Sequence, residues 1–262
     1  MKLGHLKSKM LPILFGIALL FFWELVVDMR NIPRFLLPAP SDIGQAAFDH
    51  WQSLLQASKV TLIITLQAFF WAFVGGLSLA ILFTRAQFIE KLLFPYVVIL
   101  QVTPVVAIAP LIIIWVGFEN VNTALIIIAW IVAFFPILTN CVAGLRAIDP
   151  NLRDLFKLYG ANSYQTLIYL EIPSALPQIL TGAKISGGLA LIGAVVAEFV
   201  AGSGNSTGLA WLIIESGNRL DIASMFASLV LLSLIGISIY YTMTAIEWFA
   251  LRHWHPSFRT AN

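Results

Sequence analysis

Four uncharged apolar runs dominate this sequence: Val60 to Thr84, Leu92 to Phe118, Asn120 to Leu145 and Ile222 to Ile246. A helix needs about 20 mostly apolar residues to cross the hydrocarbon core of a bilayer, and each run meets that length. Lipid offers no water to the backbone, so a spanning segment must be a helix or a strand of a closed barrel. The runs are far longer than a strand and lack a barrel's alternation, which leaves helices. Two further spans are interrupted by charge: Met10 to Val27, with Glu24 near its end, and Pro173 to Val200, with Lys184 and Glu198. The chain reads as an all-α integral membrane protein of about six transmembrane helices in one domain over 1–262, with spans about 10–27, 60–84, 92–118, 120–145, 173–200 and 222–246.

Composition excludes the water-soluble classes. The chain is 60% hydrophobic and only 11% charged, where a globular chain carries roughly a quarter charged residues. A net charge of +2, with basic residues at helix ends rather than along one face, gives no expectation of nucleic acid. The single Cys141 cannot form an internal disulfide. His5, His50, His253 and His255 lack the spacing of metal ligands, so no metal site is expected, and no nucleophile constellation points to an intramembrane enzyme.

Lysine and arginine set the orientation. With the N-terminus inside, the cytoplasmic segments hold Lys2, Lys7, Lys9, Arg85, Lys91, Arg146, Arg153, Lys157, Arg252 and Arg259, against Arg30, Arg34, Lys59 and Arg219 outside. This bias places both termini and residues 149–172 in the cytoplasm. Lys2, Lys7 and Lys9 ahead of an apolar stretch imitate a signal peptide, but Glu24-Leu-Val-Val-Asp28 follows in place of a cleavage site, so the segment reads as an uncleaved first helix. Prolines keep Ile32 to Pro40 out of regular helix. Ser41 then offers an N-cap, and Asp42 to Leu55 reads as an amphipathic helix with Ile43, Ala47, Trp51 and Leu54 on one stripe, flat on the outer interface.

The polar exception is Asp154-Leu-Phe-Lys-Leu-Tyr-Gly160, followed by a stretch ending at Pro173. Asp154 to Tyr159 can form a short helix, opened by Asp149-Pro150 and left through Gly160, whose backbone tolerates positive φ. Leu155, Phe156 and Tyr159 supply apolar anchors, with Arg153 and Lys157 at the rim. The acid, the later glycine and the final proline resemble the EAA loop of the membrane subunits of binding-protein-dependent ABC importers, the socket for the ATPase in that family. Leu37-Pro-Ala-Pro-Ser41, Thr103-Pro-Val-Val-Ala-Ile-Ala-Pro-Leu111, Ile114-Trp-Val-Gly117, Phe134-Phe-Pro-Ile137, Gly144-Leu145 and Val196-Ala-Glu198 look like signatures of its nitrate, sulfonate, taurine and pyrimidine-precursor branch, in order along nearly the whole chain. The departure lies in the socket, with Asp154 in place of Glu and Leu155 and Phe156 in place of two alanines.

That resemblance implies a type I importer permease fold with a cytoplasmic coupling helix, in which Asp154, Leu155, Phe156, Tyr159, Gly160 and Pro173 serve ATPase coupling. It also implies a homodimeric pore in the bacterial cytoplasmic (inner) membrane, embedded in membrane lipid. A cytoplasmic ABC ATPase dimer and an extracytoplasmic solute-binding protein would serve it, for a sulfonate, nitrate, taurine or pyrimidine-like solute. No cofactor is expected on this chain, which is a permease rather than an enzyme; ATP is used by the partner. The sequence accordingly has no G-x-x-x-x-G-K-[ST], and Gly202 to Gly208 lacks the lysine and preceding strand, reading instead as an outer turn before Leu209 to Ile214 dips back against the bundle.

For the translocation path, Gln101, Thr103, Pro104 and Pro110 point to a kinked third span presenting polar groups inward. Lys184 is expected to face that path or to snorkel to the interface, and Glu198 to be solvated at the interface. The alternative from another class is an ion-coupled secondary transporter, which needs paired ionisable residues near the midplane or two matching halves; Lys184 alone and no repeat stand against it.

Overall fold

The computed structural model describes residues 2–201 and 208–252, and its regular elements are all helical. They are α1 (Lys2–Met29), α2 (Pro40–Asp49), α3 (Trp51–Arg85), α4 (Gln87–Val102), α5 (Val105–Val116), α6 (Val121–Arg146), α7 (Pro150–Leu158), α8 (Ser163–Thr166), α9 (Ile172–Ala201), α10 (Leu209–Asn218) and α11 (Ile222–Leu251), with a 3-10 turn at Phe118–Asn120 and a π-turn at Leu167–Glu171. Among the described residues five helices are long and apolar enough to cross a membrane: Leu11–Met29, Trp51–Arg85, Phe118–Arg146, Ser163–Ala201 and Ile222–Leu251. The pair α4 and α5 makes a sixth if taken as one span. Most of the glycine-rich stretch from Gly202 lies outside the described residues.

Two compact units emerge, Met1–Ser58 with Thr207–Ser233, and Lys59–Ser206 with Leu234–Asn262. In the first, the sequence expectation for α2 needs correction. Pro40, not a residue after Ser41, opens the helix, since it has no N–H to leave unpaired there. The Asp42 carboxylate accepts the Ala39 N–H at 3.2 Å. Ser41 donates its hydroxyl to Glu24 Oε1 (2.6 Å) and its N–H to Glu24 Oε2 (3.1 Å), so the charge that interrupts the first apolar run satisfies an orphan donor of α2. The helix stops at Asp49, and Trp51 and Leu54 belong to α3 rather than to a stripe shared with Ile43 and Ala47. Trp23 packs against Phe226 with ring centroids 5.8 Å apart, and Asp221 accepts the Ser224 N–H (3.2 Å) at the start of α11.

The second unit is built on α6 and α9. A methyl group added at Gly193 would lie 2.8 Å from Ala129 Cα, and one at Gly182 would lie 2.8 Å from Asn140 Cβ. Ala129, Ala133, Ala183, Ala190, Ala194 and Ala197 are buried around these crossings. Lipid tails are as apolar as leucine, so helices in a membrane gain from close van der Waals approach, which small residues permit.

The third expected span is not a kinked helix but a broken one, with α4 and α5 meeting at 104°. Pro104 drives Thr103 into extended backbone (φ −68, ψ 126) and is itself extended (φ −62, ψ 109), which turns the chain at a sharp corner. The fifth span also differs, because the helix runs from Ser163 to Ala201 and includes residues expected in the polar loop. Pro173 lacks the N–H that the Tyr169 carbonyl would receive, and the π-turn just before it, with Ile172 N–H on the Leu167 carbonyl, absorbs the mismatch.

Candidate functional site

The structure opens the helix of the polar segment at Asp149-Pro150, as the sequence leads one to expect, so that it begins at Pro150 and not at Asp154. Asp149 caps α7 by accepting the Asn151 N–H at 2.9 Å, and Pro150 takes the first helical position. The start at Pro150 places Asp154 in the second turn, not the first, where it pairs with Lys157 at 3.0 Å on the exposed surface. Gly160 has φ 74. The Gly160 N–H reaches the Lys157 carbonyl (3.0 Å) and the Ala161 N–H the Phe156 carbonyl (3.0 Å), a left-handed cap that only glycine adopts without strain. Asn162 and Gln165 then cap each other's backbone at 2.8 Å to start α8.

One side of α7 is apolar and uncovered: Leu152, Leu155, Leu158 and Tyr159 are 45%, 44%, 84% and 84% exposed, while Phe156 is half-buried. The three leucines recur at intervals of three residues, so they share a face. Arg153, expected at the rim, turns the other way. Its Nη2 lies 3.3 Å from Glu171 Oε1 and 3.4 Å from the Leu145 carbonyl. Arg85, from the end of α3, holds the other Glu171 oxygen at 2.6 Å and the Ser163 carbonyl at 3.1 Å. Glu171 has only 5% of its side chain exposed and lines, with Thr84, Lys157 and Thr166, a cleft of about 200 Å³. Sequence reasoning missed Glu171; its signal is an acid inside an apolar stretch two residues before Pro173.

The residues expected along a path are not gathered into one place. Gln101 is exposed at the end of α4, Thr103 donates its hydroxyl to the Ile99 carbonyl (2.7 Å), and Pro104 forms the corner. Lys184 makes its contacts elsewhere: it is ion-paired with Glu247 of α11, and its Nζ lies 6.0 Å from the Tyr240 ring centroid. The lone basic charge of its span is half of a pair. Glu198, expected at a wet interface, is fully buried and accepts a hydrogen bond from Thr61 of α3 at 2.8 Å. Burying a carboxyl group is tolerated only where such donors meet it. Among the described residues no group of three or more His, Cys, Asp or Glu could hold a metal ion.

Residues 72–248 match the family described as binding-protein-dependent transport system inner membrane component. The chain belongs to this family. The permease is 35% identical to the riboflavin transport system permease protein RibX of Chloroflexus aurantiacus, over 91% of this chain and 88% of that one. It is 31% identical to the formylaminopyrimidine transport permease protein ThiX of Halalkalibacterium halodurans, over 90% and 92%. A chain of the inward-facing MetNI methionine ABC transporter superposes with a TM-score of 0.65 at 20% identity, covering 77% of this permease and 98% of that chain. The fold is that of a type I importer permease, all-α with its spans in the membrane. Family membership sets aside the ion-coupled alternative, although Lys184 does have the partner that the sequence did not disclose.

Proposed function

We propose that this permease forms half of a homodimeric pore in the bacterial inner membrane, with both termini and the 149–172 segment in the cytoplasm, and that a separate ATPase dimer docks on α7. An extracytoplasmic binding protein delivers the solute, and ATP hydrolysis in the docked subunits drives its release inward. The observation that carries the reading is α7 itself: a short capped helix with Leu152, Leu155, Leu158 and Tyr159 uncovered and a glycine reversal behind it. A contiguous apolar patch left open to water marks an interaction site. Asp154, Phe156, Gly160 and Pro173 then shape and end the docked segment rather than contact nucleotide. Val102, Val106, Ile114 and Trp115 on α4 and α5 are also exposed, in a segment apolar enough to lie in the membrane, where lipid or a second copy would cover them.

For the solute we favour a pyrimidine-like compound over a sulfonate, nitrate or taurine. Two relatives above 30% identity are named for riboflavin and formylaminopyrimidine transport, and both names denote molecules with a pyrimidine-type ring, while a third, from Haemophilus influenzae at 33%, is named for no substrate. The test is competition: proteoliposomes holding the permease, its ATPase and its binding protein take up labelled pyrimidine, and excess taurine does not compete. Uptake of taurine in preference to pyrimidines overturns the assignment.

A further inference from the structure

We infer that Glu171 is a positioning residue that clamps α7 to the end of α3 and to the foot of α9, so that these elements move as one body when α7 is displaced. The inference rests on the docking role proposed for α7 and names the link that carries its motion onward.

α7 has no buried residue, so packing alone does not seat it; half-buried Phe156 is its main apolar hold. Its firm attachment is Arg153, which reaches under the helix to Glu171. The two carboxylate oxygens of Glu171 go to guanidinium groups from different elements, Arg153 of α7 and Arg85 of α3. Exposed ion pairs contribute little, but this carboxylate is almost wholly withdrawn from water, where removing one partner leaves a costly unpaired charge. Glu171 also closes the π-turn at the foot of α9, immediately before Pro173. Such turns recur at functional sites, and this one ends on the residue that both arginines hold. A force applied to α7 therefore meets a rigid, charge-locked junction, which is what transmission between sites requires.

The test uses the permease assembled with its ATPase, in a Cys141→Ala background with spin labels at Asn151→Cys on α7 and Leu82→Cys on α3. The wild-type label distance is narrow and unchanged between nucleotide-free and ATP-bound complexes. Glu171→Gln, Arg153→Met and Arg85→Met each broaden it, and the Glu171→Gln and Arg153→Met effects are not additive, because they cut the same link. ATPase co-purification persists in all three, while stimulation of ATP hydrolysis by the binding protein falls at least about fivefold. A narrow, wild-type distribution in Glu171→Gln and Arg153→Met overturns the clamp. Arg153→Met guards against a folding artefact, since it changes a partly exposed residue of a short helix. The docking role is judged separately: Leu155→Ser with Leu158→Ser loses the ATPase if α7 is the socket. If those variants retain it the docking role falls, and the clamp is then decided by the label distance in the ATPase-free permease, where Glu171→Gln broadens it.

Discussion

Replacing Lys184 with Met isolates the in-span ion pair. The substitution keeps length and helix propensity and deletes one charge, leaving Glu247 without its partner. Breaking a fully buried pair by removing one member costs about 3–5 kcal/mol. The two side chains are 23% and 15% exposed, so water or headgroups reach part of each, and the cost reduces to about 2–3 kcal/mol. For a chain of this length about 2–4 °C of melting temperature is lost per kcal/mol, which predicts a fall of roughly 4–12 °C. Glu247→Leu alone should fall by a similar amount. The double variant removes both charges from an apolar environment and should return to within about 1 kcal/mol of the parent. The assay is thermal unfolding of the four proteins in identical lipid nanodiscs, followed by tryptophan fluorescence. Silence of Lys184→Met would mean that the amine is held by the interface rather than by Glu247. Simple additivity of the two losses would mean that the charges do not interact.

Gly160→Val forces a β-branched residue to φ 74, a strain of about 1–3 kcal/mol, and should cut uptake and ATPase co-purification while membrane insertion stays normal; unchanged co-purification would detach the reversal from docking. Gly193→Ala places a methyl 2.8 Å from the Ala129 backbone, which cannot swing aside, and should lower stability by at least about 1–3 kcal/mol in the same unfolding assay, whereas Gly188→Ala, with open space at its Cβ, should cost far less. Glu198→Gln keeps an acceptor for the Thr61 hydroxyl and should fold, whereas Glu198→Leu removes it and should lose about 1–3 kcal/mol, read from the melting temperatures of the two variants.

What could be read from the sequence was what is local. Five of the six apolar runs coincide with helices long and apolar enough to cross a membrane, whereas the third is two helices at a corner, and α7 was foreseeable because its cap, its first proline and its terminal glycine lie within one short stretch. The contacts between distant segments were not foreseeable. Glu171 meets Arg85 and Glu198 meets Thr61 across separations of 86 and 137 residues, and no spacing rule links them. A charge inside an apolar run shows no partner in the sequence, which gives Glu198 as interfacial and Lys184 as facing the path or snorkelling, where the structure pairs them with Thr61 and Glu247. The break at Thr103 and Pro104 was half visible: proline announces a disturbance, but whether the helix bends or turns a corner depends on what packs beside it. The stop at His50 carried no proline or glycine, so α2 merged with the head of α3 in the sequence pattern.

The central claim is that α7 is the docking surface of a separate ATPase. The most direct measurement compares ATP hydrolysis by proteoliposomes holding the purified permease alone with those holding permease and ATPase, for the parent and for the Leu155→Ser, Leu158→Ser variant. The account predicts no ATP turnover by the permease alone, turnover stimulated by the binding protein when both subunits are present, and loss of both stimulation and ATPase retention in the variant. Robust hydrolysis by the permease alone, or full ATPase retention and stimulation in the variant, would contradict it.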